Sequence, residues 1–90
     1  MKLLWTEPAR DDRRSIREYI AQDNPVAAVE MDEQLSSRAN QLTEQPNIGR
    51  AGRVAGTREL VVHRHYIVIY DVVAEEVQIL RVLHTSRRWP

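Results

Sequence analysis

The segment Tyr66-Ile67-Val68-Ile69-Tyr70 carries an apolar side chain at every position, so it is apolar on both faces of an extended strand. Such a run, which continues to Val73, is typical of a central strand that is covered on both sides. β-Type runs also occupy Arg58 to His63, before the central strand, and Val77 to His84, after it. A turn around Ala74-Glu75 joins the central strand to the last one. The sequence therefore predicts three consecutive antiparallel strands.

The residues before this region predict a short strand and two helices. Lys2 to Trp5 reads as the strand, and Pro8 suits the first turn of a helix because its missing N–H has no helical partner there. Asp23-Asn24-Pro25 ends this first helix and can cap a second one. The second helix ends at Gln45-Pro46. Its apolar stripe consists of Ala28, Met31, Leu35, Ala39 and Leu42.

Residues 46–56 predict one extended loop. All three glycines of the protein lie in it, and Arg50 and Arg53 make it basic. The order of strand, helical hairpin and three strands predicts an α+β fold, with an antiparallel sheet and the hairpin packed on one face. Ninety residues suffice for one domain, residues 1–90.

Composition excludes several classes of protein. There is no cysteine, so a disulfide framework, a zinc ribbon and a thiol nucleophile are excluded, and we expect a cytoplasmic protein. The apolar run at the N-terminus is too short for a signal peptide, and no stretch approaches the roughly 18–20 apolar residues of a membrane helix. We therefore predict no contact with membranes.

The formal net charge of zero conceals two unlike halves. Residues 1–45 hold six basic and nine acidic side chains, whereas residues 46–90 hold seven arginines and four acids. Such asymmetry indicates an anionic partner for the C-terminal half. Arginine also favours bidentate contacts with carboxylate or phosphate.

Several short patterns along the chain resemble one known family. They are Trp5-x3-Ala9-x2-Asp12-x3-Ile16-x2-Tyr19-Ile20, Pro46-x2-Gly49-Arg50, Gly56-x-Arg58-Glu59, Tyr66-x3-Tyr70, and Ile79-x-Arg81-Val82-Leu83-His84 followed by Arg87-Arg88. In this order and spacing, from about Trp5 to Pro90, the chain resembles the RelE/ParE superfamily of toxins from type II toxin–antitoxin modules. The resemblance implies a growth-arresting toxin that a small antitoxin, encoded beside it, holds inactive in a hetero-oligomer.

The superfamily has two kinds of target. The resemblance implies either that the toxin poisons DNA gyrase, as ParE-like members do, or that it cuts mRNA on the ribosome without a metal, as RelE-like members do. Neither activity requires a cofactor. For cleavage, Arg58 and Arg81 are candidate phosphate clamps and His84 is a candidate acid or base. Leu60, Val62 and Ile67 stand where RelE-like nucleases are expected to be basic, which favours the ParE-like branch and gyrase.

For target binding we predict the basic loop and the C-terminal tail: Arg50, Arg53, Arg87, Arg88 and Trp89, the last as an exposed aromatic residue. Strand alternation places Arg81 on the same face as Val77, Ile79 and Leu83. Arg58 and Arg81 can alternatively be paired with Glu59, Asp71 or Glu76. We predict no metal site, because His63, His65 and His84 lack a supporting Cys or carboxylate.

Overall fold

The computed structural model describes residues 1–87 and 89–90, and it confirms the predicted α+β class. Its elements, in chain order, are β1 (Lys2–Trp5), α1 (Glu7–Ala21), α2 (Pro25–Gln41), β2 (Arg50–Ala51), β3 (Thr57–His63), β4 (Tyr66–Val73) and β5 (Glu76–His84). Within the described residues, neither helix is long and apolar enough to cross a membrane.

The sheet contains five strands in the order β1-β5-β4-β3-β2. The predicted number of strands, one separate N-terminal strand and a sheet of three, is therefore wrong. β1 pairs with β5 in parallel, with Leu3 opposite Val77. β2 lies inside the predicted loop and pairs with β3, with Arg50 opposite Glu59. A strand of two residues beside a glycine has no alternating pattern, and for this reason the sequence does not reveal it.

A side chain caps the start of each helix, and the cap of α2 lies in the predicted triplet Asp23-Asn24-Pro25. The Thr6 hydroxyl accepts a hydrogen bond from the backbone N–H of Ala9 at 3.3 Å, and Pro8 lies in the first turn. The Asn24 side chain likewise accepts from the N–H of Ala27 at 3.1 Å, with Pro25 as the first residue of α2. These side chains satisfy N–H groups that have no partner within the helix.

The two faces of the sheet are covered differently. On one face, the helices pack their predicted stripe, including the fully buried Leu35, Ala39 and Leu42, against side chains such as Tyr70 and Ile79. The other face carries a smaller apolar cluster to which no helical residue contributes: Ile67, Ile69 and Leu83, with Leu80 and Trp89 packed against them. We call this second side the uncovered face.

A β-bulge in β5 changes the predicted position of Arg81. Tyr70 pairs with Ile79 and Ile69 pairs with Arg81, which leaves Leu80 without a partner in the register. The extra residue reverses the alternation of side chains beyond it. Ile79 therefore packs in the helix-side core while Leu83 packs in the cluster on the uncovered face. The prediction that Arg81, Val77, Ile79 and Leu83 share one face is wrong.

Candidate functional site

A cleft of about 500 Å³ opens on the uncovered face of the sheet. Four arginines surround it, three of them among the predicted target-binding residues: Arg50 from β2, Arg53 from the loop after β2, Arg64 from the β3–β4 turn and Arg87 from the tail. Apolar side chains form its floor. We call this surface the arginine cleft: Arg50, Arg53, Arg64 and Arg87 around Val61, Ile67 and Trp89.

The floor of the arginine cleft is built by pairing between strands and by the tail. Val61 on β3 lies opposite Ile67 on β4, and Val61 remains 47% exposed. Trp89 packs against the cluster that contains Ile67 and is half-buried, so the prediction of an exposed aromatic residue is wrong. The indole is held here because the uncovered face offers apolar surface beside the end of β5. The predicted contact residue Arg88 lies outside the described residues.

Most positive charge at the arginine cleft is not neutralised within the described part of the chain. Arg50 donates two hydrogen bonds to the Glu59 carboxylate, at 3.1 and 2.9 Å. The side chains of Arg53, Arg64 and Arg87 form neither an ion pair nor a hydrogen bond with any described residue. Three cationic groups therefore border an apolar floor and are available to a ligand.

Arg64 was missed by the sequence analysis, although pairing of the strands brings it to the same cleft. The Thr85 hydroxyl donates to the carbonyl of Arg64 at 3.1 Å, and the N–H of Thr85 donates to the carbonyl of His65 at 2.8 Å. The β3–β4 turn is thereby fixed to the chain leaving β5. The available signal was the hairpin itself, since a turn at residues 64–65 lies beside the end of the third strand.

Arg81 forms an ion pair that joins β5 to α1. Its guanidinium donates to the two carboxylate oxygens of Asp12 at 2.7 and 3.0 Å, and the backbone N–H of Val82 donates to the same carboxylate at 2.9 Å. The hydrogen bonds to Asp12 raise the pKa of Arg81. The partners considered from the sequence, Glu59, Asp71 and Glu76, are wrong because α1 passes beside the part of β5 that β1 leaves unpaired.

The other two candidate nuclease residues lie in different surroundings. Arg58 donates to the carbonyl oxygens of Asn47 and Gly49, at 3.3 and 2.8 Å, in the segment before β2. His84 is exposed at the end of β5, where its ring stacks on His65 with 5.5 Å between ring centroids. Arg58 and His84 line different cavities, and Arg81, which Asp12 holds, lines neither of the two.

The three histidines form a cluster beside the β3–β4 turn, in which His65 and His84 are exposed and His63 is half-buried. Nδ1 of His63 accepts from the N–H of His65 at 3.2 Å, and Nδ1 of His84 accepts from the N–H of Ser86 at 3.1 Å. Local desolvation, then the nearby charges of Arg64, His63 and His84, lower the pKa of His65. In the described part of the chain, no group of three or more His, Cys, Asp or Glu side chains is arranged to hold a metal ion.

A groove of about 380 Å³ lies between α1 and the end of β5, at the side of the sheet away from β2. Ile16 and Tyr19 of α1 line it, together with Tyr66 and Val82, and Tyr19 is 70% exposed. The groove is therefore a mixed apolar and polar surface that adjoins the arginine cleft, since Arg87 lines both, and His84 is among its lining residues.

The fold agrees with what comparisons with known proteins show. A family model described as "ParE toxin of type II toxin-antitoxin system, parDE" matches residues 3–89. The chain belongs to the ParE toxin family. Membership confirms the predicted RelE/ParE superfamily and makes the chain the toxin of a type II toxin–antitoxin system, which implies an antitoxin partner.

Individual relatives support this assignment to the ParE family. The chain is 40% identical to "Toxin RelE2" of Caulobacter vibrioides over 86 residues, which cover 96% of this chain and 97% of the relative. It is 34% identical to Y4kP of Sinorhizobium fredii over 89 residues, covering 99% and 93%. Among solved structures, a chain of the "Chromosomal ParDE TA system from P. aeruginosa" matches with a TM-score of 0.83 and 27% identity, covering 93% of this toxin and 95% of that chain.

Proposed function

We propose that this toxin arrests growth by binding DNA gyrase through the arginine cleft and the C-terminal tail, without catalysis of its own. The observation that carries the proposal is the meeting of Arg50, Arg53, Arg87 and Trp89, from a loop and a tail far apart in sequence, around one apolar floor. Tryptophan and arginine are enriched at the energetically important positions of protein interfaces, which combine an apolar centre with a polar rim.

The solved structure from P. aeruginosa adds support, since it belongs to a ParDE system, the system that the matching family model also names. The arrangement of Arg58, Arg81 and His84 also favours binding over cleavage. A metal-free nuclease must place cationic and proton-transferring groups around one phosphate. Here Asp12 already occupies the guanidinium of Arg81.

A supercoiling assay with purified gyrase tests the proposal. We expect the wild-type toxin to block supercoiling, and the double variant Arg53→Glu/Arg87→Glu to be at least about tenfold weaker, because it reverses two charges at the cleft. The matched control is Arg10→Glu, which reverses an exposed charge on α1 and should leave inhibition unchanged. Equal inhibition by the double variant and the wild type would contradict the proposed interface.

Incorporation of labelled precursors after induction without the antitoxin tests the target in cells. Inhibition of gyrase should stop thymidine incorporation before methionine incorporation and should induce an SOS response. The reverse order would identify a translation toxin instead.

The second candidate function is ribosome-dependent cleavage of mRNA. It is favoured by the name of the 40% identical relative, "Toxin RelE2", and by the exposed ring of His84. Under this alternative, His84→Ala abolishes cleavage and toxicity together. Under the gyrase proposal, His84→Ala remains toxic. A primer-extension assay on mRNA from induced cells distinguishes the two functions.

We further propose that the antitoxin forms a hetero-oligomer with this toxin in the cytoplasm, where both candidate targets are found. The groove between α1 and β5 and the exposed Tyr19 supply apolar surface for an extended or helical partner segment. Co-expression with the neighbouring open reading frame should raise the soluble yield of the toxin and suppress growth arrest. A free toxin that is monodisperse and unaffected by that partner would contradict this proposal.

A further inference from the structure

The chemistry of the arginine cleft indicates the kind of segment that it binds. Its floor is apolar and open, because Val61 is 47% exposed while the neighbouring Ile67 is buried. A single side chain such as leucine can therefore contact Val61 and Trp89 and remove both from water.

The rim of the cleft is suited to carboxylates. Arg53, Arg64 and Arg87 lack partners among the described residues, and each guanidinium presents a planar set of donors that matches a carboxylate in bidentate geometry. The backbone of Arg64 is fixed by the hydrogen bonds from Thr85. Less conformational freedom is therefore lost when Arg64 binds a ligand.

One feature favours a polypeptide over a nucleic acid. The floor offers one aromatic platform, Trp89, beside aliphatic side chains, whereas single-stranded nucleic acids are bound by successive aromatic side chains within a basic groove.

We infer that the arginine cleft receives an extended acidic segment of the target protein, with an apolar side chain on Val61 and Trp89 and flanking carboxylates on Arg53, Arg64 and Arg87. This inference rests on the proposed function for the source of the segment, which we take to be gyrase. It adds the chemistry of the ligand and assigns a contact to Arg64.

Photocrosslinking of the full toxin to the gyrase holoenzyme tests this inference. The reactive side chain is introduced as Val61→p-benzoylphenylalanine, with Val73→p-benzoylphenylalanine as the control, because Val73 is equally exposed but lies at the opposite end of β4. We expect a crosslink from position 61 and none from position 73. Mass spectrometry should place it on a gyrase segment with acidic residues on both sides of an apolar one. A crosslink to DNA, or to a segment without acidic residues, would overturn the inference.

A binding measurement separates this inference from the proposed function. The probe is a short synthetic peptide in which glutamate and leucine alternate, compared with the same peptide carrying glutamine for glutamate. We expect the glutamate peptide to bind at least about tenfold more tightly, and Arg64→Glu but not Arg10→Glu to abolish that preference. Equal binding of the two peptides would overturn the inference even if gyrase is inhibited. If gyrase is not inhibited and the glutamate preference persists, the proposed target is wrong and the ligand chemistry stands.

Discussion

The two sides of the sheet use charged residues in opposite ways. On the helix side, charged groups are paired: Asp32 of α2 accepts hydrogen bonds from Arg13 and Arg17 of α1, and Asp12 accepts from Arg81. On the uncovered face, Glu59 pairs with Arg50, but Arg53 and Arg64 border an apolar floor without a partner among the described residues. Paired charges of the first kind join the two helices to each other and α1 to the sheet, while cations beside apolar surface, without a partner among the described residues, are typical of a binding face.

The contrast explains why residue type alone is a poor guide to function in this chain. Arg81 and Arg64 are both arginines in the basic C-terminal half. The guanidinium of Arg81 is held at 2.7 Å by a carboxylate from a different element, so it serves the fold. Arg64 lies in a turn whose backbone Thr85 holds, and its side chain has no partner among the described residues, so it is available to a ligand.

The largest expected effect comes from breaking the Asp12–Arg81 pair. Asp12→Ala leaves the Arg81 guanidinium and the N–H of Val82 without an acceptor in a partly buried position, and we expect a loss of about 2–4 kcal/mol of unfolding free energy. The control is Asp11→Ala, which removes an exposed pair with Arg14 and should cost about 0.5 kcal/mol or less. Urea denaturation measures both. Equal losses would show that the pair contributes no more than a surface contact.

The sequence predicted the elements whose patterns are long and regular. The apolar run from Tyr66 onwards gave the central strand, and the stripe through Leu35 gave the second helix. What it could not predict depends on contacts between distant residues. The bulge near Arg81 depends on how β5 pairs with β4. The ion pair between Asp12 and Arg81 depends on the path of α1 beside β5. Neither can be predicted from the local sequence. Three of the cleft arginines were predicted, but Arg64 joins them only through the hairpin.

The next largest expected effect comes from Tyr70, whose side chain is buried on the helix side of the sheet. Its hydroxyl donates to the carbonyl of Pro46 at 2.7 Å and accepts from the N–H of Gly49 at 3.0 Å, which ties the loop to the buried face of β4. Tyr70→Phe leaves that N–H without its acceptor, and we expect a loss of about 1–2 kcal/mol. Tyr66→Phe is the matched control on the same strand, because the Tyr66 hydroxyl bonds to no described residue, and it should cost less than about 0.5 kcal/mol. If Tyr70→Phe cost no more unfolding free energy than Tyr66→Phe, the Tyr70 hydroxyl would not stabilise the loop.

The smallest effect separates two carboxylates by the sign of their pH dependence. Burial alone would raise the pKa of Asp32, but the hydrogen bonds and charges of Arg13 and Arg17 together lower it below the usual 3.8. Burial raises the pKa of Asp71. Its side chain points away from the helices because it follows Tyr70 on β4, and its Oδ1 has no hydrogen-bond partner among the described residues.

The signs of the two contributions follow from proton binding in the folded and unfolded states. Below 3.8 the unfolded chain binds the proton of Asp32 more readily, so the stability from this group is present above 3.8 and is lost as the pH falls through the lowered pKa. For Asp71 the folded state binds the proton more readily, so stability decreases as the pH rises from 3.8 through the raised pKa. We expect Asp32→Asn to reduce the loss of unfolding free energy that acid causes. We expect Asp71→Asn to remove the decrease in unfolding free energy between acid and neutral pH. Urea titrations at several pH values should show each change as less than about 1 kcal/mol. If both substitutions changed the pH dependence of the unfolding free energy in the same direction, the paired Asp32 and the unpaired Asp71 would not differ in the way that their hydrogen bonds indicate.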